Sequence, residues 1–183
     1  MNQQSSSPSR PPATSTNTAA ASLGVSASFL RVIRSPLRFR LYLLTRIPSA
    51  FFSGLRISQI DENESVVTVP YKWFTRNPFR STYFACLSMA AEMSTGILAM
   101  AQVYQRQPPV SMLVVAMEAN YFKKATGITR FRCSDGPAIK ETIALAVSTG
   151  EGQTIRARSA GINVSGELIA EFFITWSFKV KHI

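Results

Sequence analysis

The sequence predicts an α+β fold in which a mainly antiparallel sheet wraps one long central helix. Three observations carry that prediction. Apolar patterning switches from helical period to strand period and back, in the order helix, two strands, long helix, further strands. Between Arg80 and Arg106 lie 25 residues of which only Glu92 is charged, so a helix there is apolar almost all round and must be enclosed. Two long alternating segments then close the chain, split by the turn "NVSG" at 163–166. With 183 residues, 46% hydrophobic and 16% charged, the chain suits one domain with a genuine core.

Taken in order, residues 1–28 are Ser, Thr, Ala and Pro with one Arg and no acid. Such a segment buries too little apolar surface to offset its ordering entropy and reads as a disordered tail. Followed by the Arg-rich "FLRVIRSPLRFRLYLLTR", it also fits an organelle transit peptide; otherwise a cytoplasmic protein is expected. A single domain is expected over 29–183. Residues 36–53 read as an amphipathic helix, with Pro36 in its first turn, Leu37, Leu41, Leu44 and Phe52 on its apolar side, and Arg38 and Arg40 near its wet side. A membrane-surface role suits such a basic helix, but packing against a sheet is the commoner use. "GLRISQID" and "SVVTVPYKW" alternate around Asp61, Glu62 and Asn63 and predict a hairpin.

The long helix is expected over 77–105, started by Asn77-Pro78 or by Ser81 and ended by Pro108-Pro109. It also has the length of a transmembrane span. However, Ser88, Glu92, Ser94, Gly96 and Gln102 interrupt the run and strands flank it, so no span is expected. "VSMLVVAMEANYF" and "TGITRFRCS" follow as strands, then a shorter helix "PAIKETIALAVS" after Gly136, then the strands "QTIRARSAGI" and "GELIAEFFITWSFKV".

Charge and rare residues exclude several functions. Of the +10 net charge, +7 sits in residues 1–60, which hold seven Arg and no acid. A basic tail on a near-neutral body argues against nucleic acid as a partner. Cys86 and Cys133 are too few and too far apart for a zinc site or disulfide framework, and read as buried and reduced. The sole histidine, His182, is next to last, so no Ser-His-Asp or Cys-His arrangement and no histidine metal cluster is expected. Catalysis would rest on carboxylates, backbone N–H groups and amides, with no cofactor.

The stretch "NPFRSTYFACLSMAAEMSTG", with "FKKATG" at 122–127, "TWSFK" at 175–179 and the pair Gly166 and Ala170, resembles the hotdog-fold thioesterases of the phenylacetyl-CoA (PaaI-like) type. In that family an Asn precedes the catalytic Asp of the central helix by fifteen residues; here Asn77 precedes Glu92 by fifteen. The family's His-Gly-Gly at the helix start falls on Tyr83, Phe84 and Ala85. The whole pattern looks closest to an uncharacterised bacterial branch of the superfamily and covers roughly residues 36–180. Two departures stand out: Glu replaces Asp, and the bulky Tyr83 and Phe84 either narrow the acyl pocket or mark lost hydrolytic machinery.

The resemblance implies hydrolysis of acyl-CoA or acyl-carrier-protein thioesters by a homodimer or dimer of dimers. Glu92 would act as base or nucleophile, the amides of Phe84 and Ala85 as oxyanion hole, and Asn77 as the group orienting water or carbonyl. Ser88, Thr95 and Gly96, one turn from Glu92, leave room beside it, and Ser88 or Thr95 is placed to hydrogen-bond the carboxylate. A lone Glu in such a helix is alternatively an exposed residue, or a buried partner for Arg76 or Arg80. Tyr83, Lys123, Lys124 and Arg130 (with Arg132) are the candidate substrate contacts, the cations meeting coenzyme A phosphates; a solvated sheet face explains the cations equally well. Trp73, Phe74 and Trp176 read as core. The alternative function is a non-catalytic acyl-thioester binding module. A hotdog dehydratase needs an active-site His that this chain does not offer.

Overall fold

In the computed structural model, which describes residues 27–181, the chain opens with α1 (Ala27–Ile33), α2 (Pro36–Arg46) and α3 (Pro48–Ser53). The expected single helix over 36–53 is therefore two. Pro48 lacks an N–H and excludes the helical region for the residue before it, and Ile47 accordingly sits at φ −139°, ψ 66°. The buried face also differs from the one expected. Leu37, Leu41, Leu44 and Phe52 are exposed, whereas Phe39, Leu43 and Ala50 lie inside. Both sets recur at helical spacing, and only tertiary contact decides between them; here Phe29 and Ile33 of α1 reach the same core as Phe39 and Leu43. The tail expected over 1–28 lies outside the described residues except for 27 and 28, which begin α1.

The strands are β1 (Arg56–Ile60), β2 (Ser65–Val69), β3 (Val110–Tyr121), β4 (Thr129–Cys133), β5 (Gln153–Ile162) and β6 (Leu168–Val180). They form one antiparallel sheet in the order β1-β2-β4-β5-β6-β3. The predicted hairpin is β1–β2, and the predicted closing pair is β5–β6. The long helix, α4 (Phe84–Val103), lies across the inner face, with α5 (Gly136–Thr149) beside it. It starts later than expected. Neither Asn77 nor Ser81 caps it; Tyr83 does, without a side-chain bond, because residues 77–81 are folded into a turn of their own. Although α4 is long and apolar enough to cross a bilayer, 67% of its most apolar window is buried within the fold.

Small side chains let α4 approach the sheet closely. Ala90, Ala91, Ser94, Thr95 and Ala99 are each fully buried, and hydrogen bonds tie this face down. The Ser94 and Ser159 hydroxyls are 2.7 Å apart, the Ser65 hydroxyl donates to the Ser94 carbonyl, and the Trp176 indole N–H donates to Thr95 Oγ1 at 2.9 Å. Phe131, Phe172, Ile174 and Phe178 fill the sheet side, each worth roughly 1.5–3 kcal/mol in burial. At Gly161 a Cβ would stand 2.4 Å from the Phe131 ring, so only glycine fits where β5 crosses that side chain. Cys86 and Cys133 are buried and unpaired, as expected, and burial pushes the Cys133 thiol up to about 12.

The edge strand β3 is different. It is paired on one side only, to β6, and Leu113, Val115, Met117 and Tyr121 are exposed although the strand is as apolar as β6. Among the described residues no strand pairs with the outer side of this long, apolar edge.

Candidate active site

Along α4, Ala85, Ser88, Met89 and Glu92 form a half-exposed stripe at helical spacing, in contrast to the buried residues around them. Glu92 lies at the floor of a small apolar pocket of about 100 Å³. Phe29 and Ile33 of α1, Phe39 and Leu43 of α2, Gly96 of α4 and Met112 of β3 form its walls. Burial among these side chains raises the Glu92 carboxyl above the ordinary carboxylate range. Among the described residues no side chain or amide donates to that carboxylate, and it forms no ion pair. Arg76 and Arg80, the ion-pair partners considered from the sequence, are both exposed. Gly96 keeps the space open, since a Cβ there would sit 3.1 Å from Glu92 Oε1 and 3.0 Å from the Trp176 ring.

The amide end of α4 opens a separate cleft of about 550 Å³, with Asn77, Tyr83, Phe84, Tyr121, Lys123 and Lys124 among its walls. Its floor is fixed by the backbone. Tyr83 N–H donates to the Thr75 carbonyl at 2.7 Å, and the Thr82 N–H and hydroxyl donate to the Ala125 carbonyl at 2.7 and 3.2 Å. The "FKKATG" segment thus holds the loop that aims the helix. The Tyr83 carbonyl accepts the Cys86 and Leu87 amides, while the N–H groups of Phe84 and Ala85 meet no acceptor among the described residues. Two free amides at a positive helix end can receive a developing oxyanion.

Several expected contacts are corrected. Thr95 does not touch the Glu92 carboxylate; it is fully buried, accepts from Trp176 and donates to the Glu92 main-chain carbonyl at 3.0 Å. Ser88 donates back to the Phe84 carbonyl at 3.1 Å instead, satisfying its hydroxyl within the helix. The Asn77 side-chain oxygen is taken up by the Phe79 and Ser81 N–H groups at 2.9 and 3.2 Å, so it orders the loop and only its NH₂ remains to face a substrate. Arg130 is exposed on β4 between buried Thr129 and Phe131, hence on the sheet face away from α4 and outside the cleft; Arg132, on the same face, pairs with Glu64 at 3.1 Å. Lys123 lines the cleft but is paired with Glu167, leaving Lys124 as its unpaired cation among the described residues. Trp176 is core as expected; Trp73 and Phe74 are exposed, in contact with each other, and Phe74 also contacts Phe52.

Two walls of the pocket, Phe29 and Ile33, were not among the residues expected at the site. They lie one helical turn apart, and that i, i+4 pair is the signal that would have found them. Among the described residues no group of His, Cys, Asp and Glu is placed to hold a metal ion, and His182 lies outside them.

Residues 39–177 match the family described as Domain of unknown function (DUF4442). No curated protein sequence matches the chain. Similar solved structures include a Pseudomonas aeruginosa protein of unknown function described as a probable thioesterase, with TM-score 0.68 at 19% identity over 80% of this chain and 97% of that one. A Chlorobaculum tepidum protein of unknown function aligns with TM-score 0.69 at 16% identity, over 88% and 99% of the two chains. A Haemophilus influenzae thioesterase aligns with TM-score 0.58 at 15% identity, over 76% and 88%.

Proposed function

The chain belongs to the DUF4442 family and has the hotdog fold of thioesterase-like proteins, and from that premise we propose that it hydrolyses acyl thioesters of coenzyme A or of an acyl-carrier protein. The observation that carries this reading is the Glu92 carboxylate, set in an apolar pocket with no partner among the described residues. A base of raised pKa takes a proton from water more readily than an ordinary carboxylate. Water activated there adds to the thioester carbonyl, and its proton passes to Glu92. The oxyanion is received by the Phe84 and Ala85 N–H groups. When the C–S bond breaks, the departing thiolate takes the proton back, releasing the acid and the thiol.

Within one chain the two halves do not meet. Phe84 and Glu92 are eight residues apart on the same helix, roughly 12 Å, whereas both must lie about 3 Å from one reacting group. The exposed β3 edge supports a reading in which two copies bring them together. Met112, near its start, borders the Glu92 pocket, and Tyr121, at its end, borders the amide cleft. Antiparallel pairing of two β3 strands about their midpoint sets the first end of one against the second end of the other. The reading is therefore a homodimer in which Glu92 of one subunit serves the amides of the other.

Thiol release from a panel of acyl-CoA substrates tests the chemistry, with Glu92→Gln as the control; turnover that survives this substitution removes the carboxylate from the reaction. Sedimentation tests the assembly. Met117→Lys, which sets a charge on the exposed edge, is expected to yield monomers without turnover, and an active monomer would refute pairing through β3. One observation favours a second reading, the non-catalytic binding module. The Tyr83 and Phe84 rings, 4.9 Å apart, crowd the amide end where small residues would admit a carbonyl. Binding of acyl-CoA with no thiol release by wild-type protein would decide for it.

A further inference from the structure

Beside the Glu92 pocket, between the α1–α2 corner and β1, lies a larger cleft of about 420 Å³. The two share Ile33 and Phe39 as walls. Three arginines are among the residues lining the larger one: Arg34, Arg40 and Arg56. Two are held in place. Arg40 lies 4.7 Å over the Phe51 ring, and Arg34 donates to the Ile60 carbonyl at 3.4 Å. Among the described residues none of the three forms an ion pair. The acid whose carboxyl feels Arg34 is Asp61, and its side chain is engaged with the Asn63 and Glu64 amides at 2.8 and 2.9 Å. Residues 1–60 hold no acid. Three like charges around one cleft, with Asp61 near Arg34 as the acid that offsets them, repel one another, and an anion in the cleft reduces that cost.

We propose that this cleft binds the phosphate of a phosphorylated amphiphile, gripped by Arg34, Arg40 and Arg56, with the uncharged arm running past Ile33 and Phe39 toward Glu92. Guanidinium groups match phosphate oxygens in bidentate geometry, and the apolar lining of Ile33, Leu55 and Ile57 suits the adjoining arm. The phosphate site stands on its own geometry; only the direction of the arm rests on the thioesterase reading. A phosphate on such an arm belongs either to a coenzyme A-type carrier or to a phospholipid.

Calorimetric titration separates these sources. Desulfo-coenzyme A, pantetheine and dihexanoyl phosphatidic acid below its micelle concentration are each offered to the full chain and to the triple variant Arg34→Gln/Arg40→Gln/Arg56→Gln. A phosphorylated probe is expected to bind wild-type protein at least tenfold more tightly than pantetheine. That gap should shrink with added salt and vanish in the variant, while a triple Arg→Lys variant with a native circular dichroism spectrum recovers part of it. Phosphatidic acid binding without desulfo-coenzyme A binding assigns the phosphate to a lipid. Equal binding by wild type and the Gln variant, or no binding of either phosphorylated probe, overturns the proposal. Glu92→Gln keeps its arginine-dependent binding in any case, so a chain that binds but never hydrolyses would sink the thioesterase reading and leave the cleft standing.

Discussion

The two faces of α4 are built from similar residues and treat polar groups in opposite ways. On the sheet face Ser94 and Thr95 are fully buried and each is bonded across to the sheet, to Ser159 and Trp176. On the other face Glu92 borders an apolar pocket and, among the described residues, meets no hydrogen-bond donor at its carboxylate. A buried polar group without a partner costs free energy, whereas a partnered one roughly breaks even. The sheet face therefore shows what the fold requires of a polar side chain, and the pocket face shows a partly exposed carboxylate whose charged form its apolar surroundings disfavour. That contrast is what the proposed role of Glu92 in thioester hydrolysis rests on.

The two faces of α4 differ most at Glu92 itself. Glu92→Gln is expected to lower kcat/KM by about 10²- to 10⁴-fold, the usual worth of a general base, with no loss of resistance to urea. Thiol-release kinetics and a urea titration on one preparation check both halves; a variant that unfolded early would show the carboxylate to be structural. Leu98→Ala probes the opposite face. Leu98 is 3% exposed, and the cavity should cost about 2–5 kcal/mol of stability while leaving turnover per folded molecule near wild type. A smaller effect is expected of Thr95→Val, which keeps the volume but strands the Trp176 N–H, at about 1–3 kcal/mol. The urea midpoint followed by tryptophan fluorescence reports it. An unchanged midpoint would mean that the sheet-face bonds contribute nothing net.

How much of this was legible beforehand depended on what kind of information was needed. α4, the β1–β2 hairpin and the long closing strands were readable because burial on nearly all sides, or on alternate sides, leaves a periodic trace. The fifteen-residue interval from Asn77 to Glu92 was readable too, but an interval fixes order and not distance. It could not reveal that the Asn77 oxygen is consumed by its own turn, or that the amide cleft and the acid pocket lie two helical turns apart. Periodicity was equally blind between Leu37, Leu41 and Leu44 on one side of α2 and Phe39 and Leu43 on the other, since both recur at helical spacing. Trp73 and Phe74 were misread as core because apolar character predicts burial only on average. The sheet's unpaired edge at β3 has no sequence mark at all, being as apolar as the interior strand beside it.

The smallest expected effect follows from the sign of the Glu92 shift. Burial raises the carboxyl above its ordinary value, so the folded chain holds that proton more tightly than the unfolded chain does. Wyman linkage then makes the protonated residue favourable to folding at acid pH, below the unfolded value, and removes that contribution as pH rises through the folded one. Gln is neutral throughout and loses nothing over the same interval. Stability of Glu92→Gln relative to wild type should therefore be nearly pH-independent at the acid end, climb across the interval in which Glu92 ionises, and level off in the variant's favour near neutrality. Urea midpoints for the two proteins at a series of pH values read this directly, because every other titrating group is common to both. Parallel curves would mean that the carboxylate is as well solvated in the folded chain as in the unfolded one, and the difference between the two faces of α4 would then have no electrostatic basis.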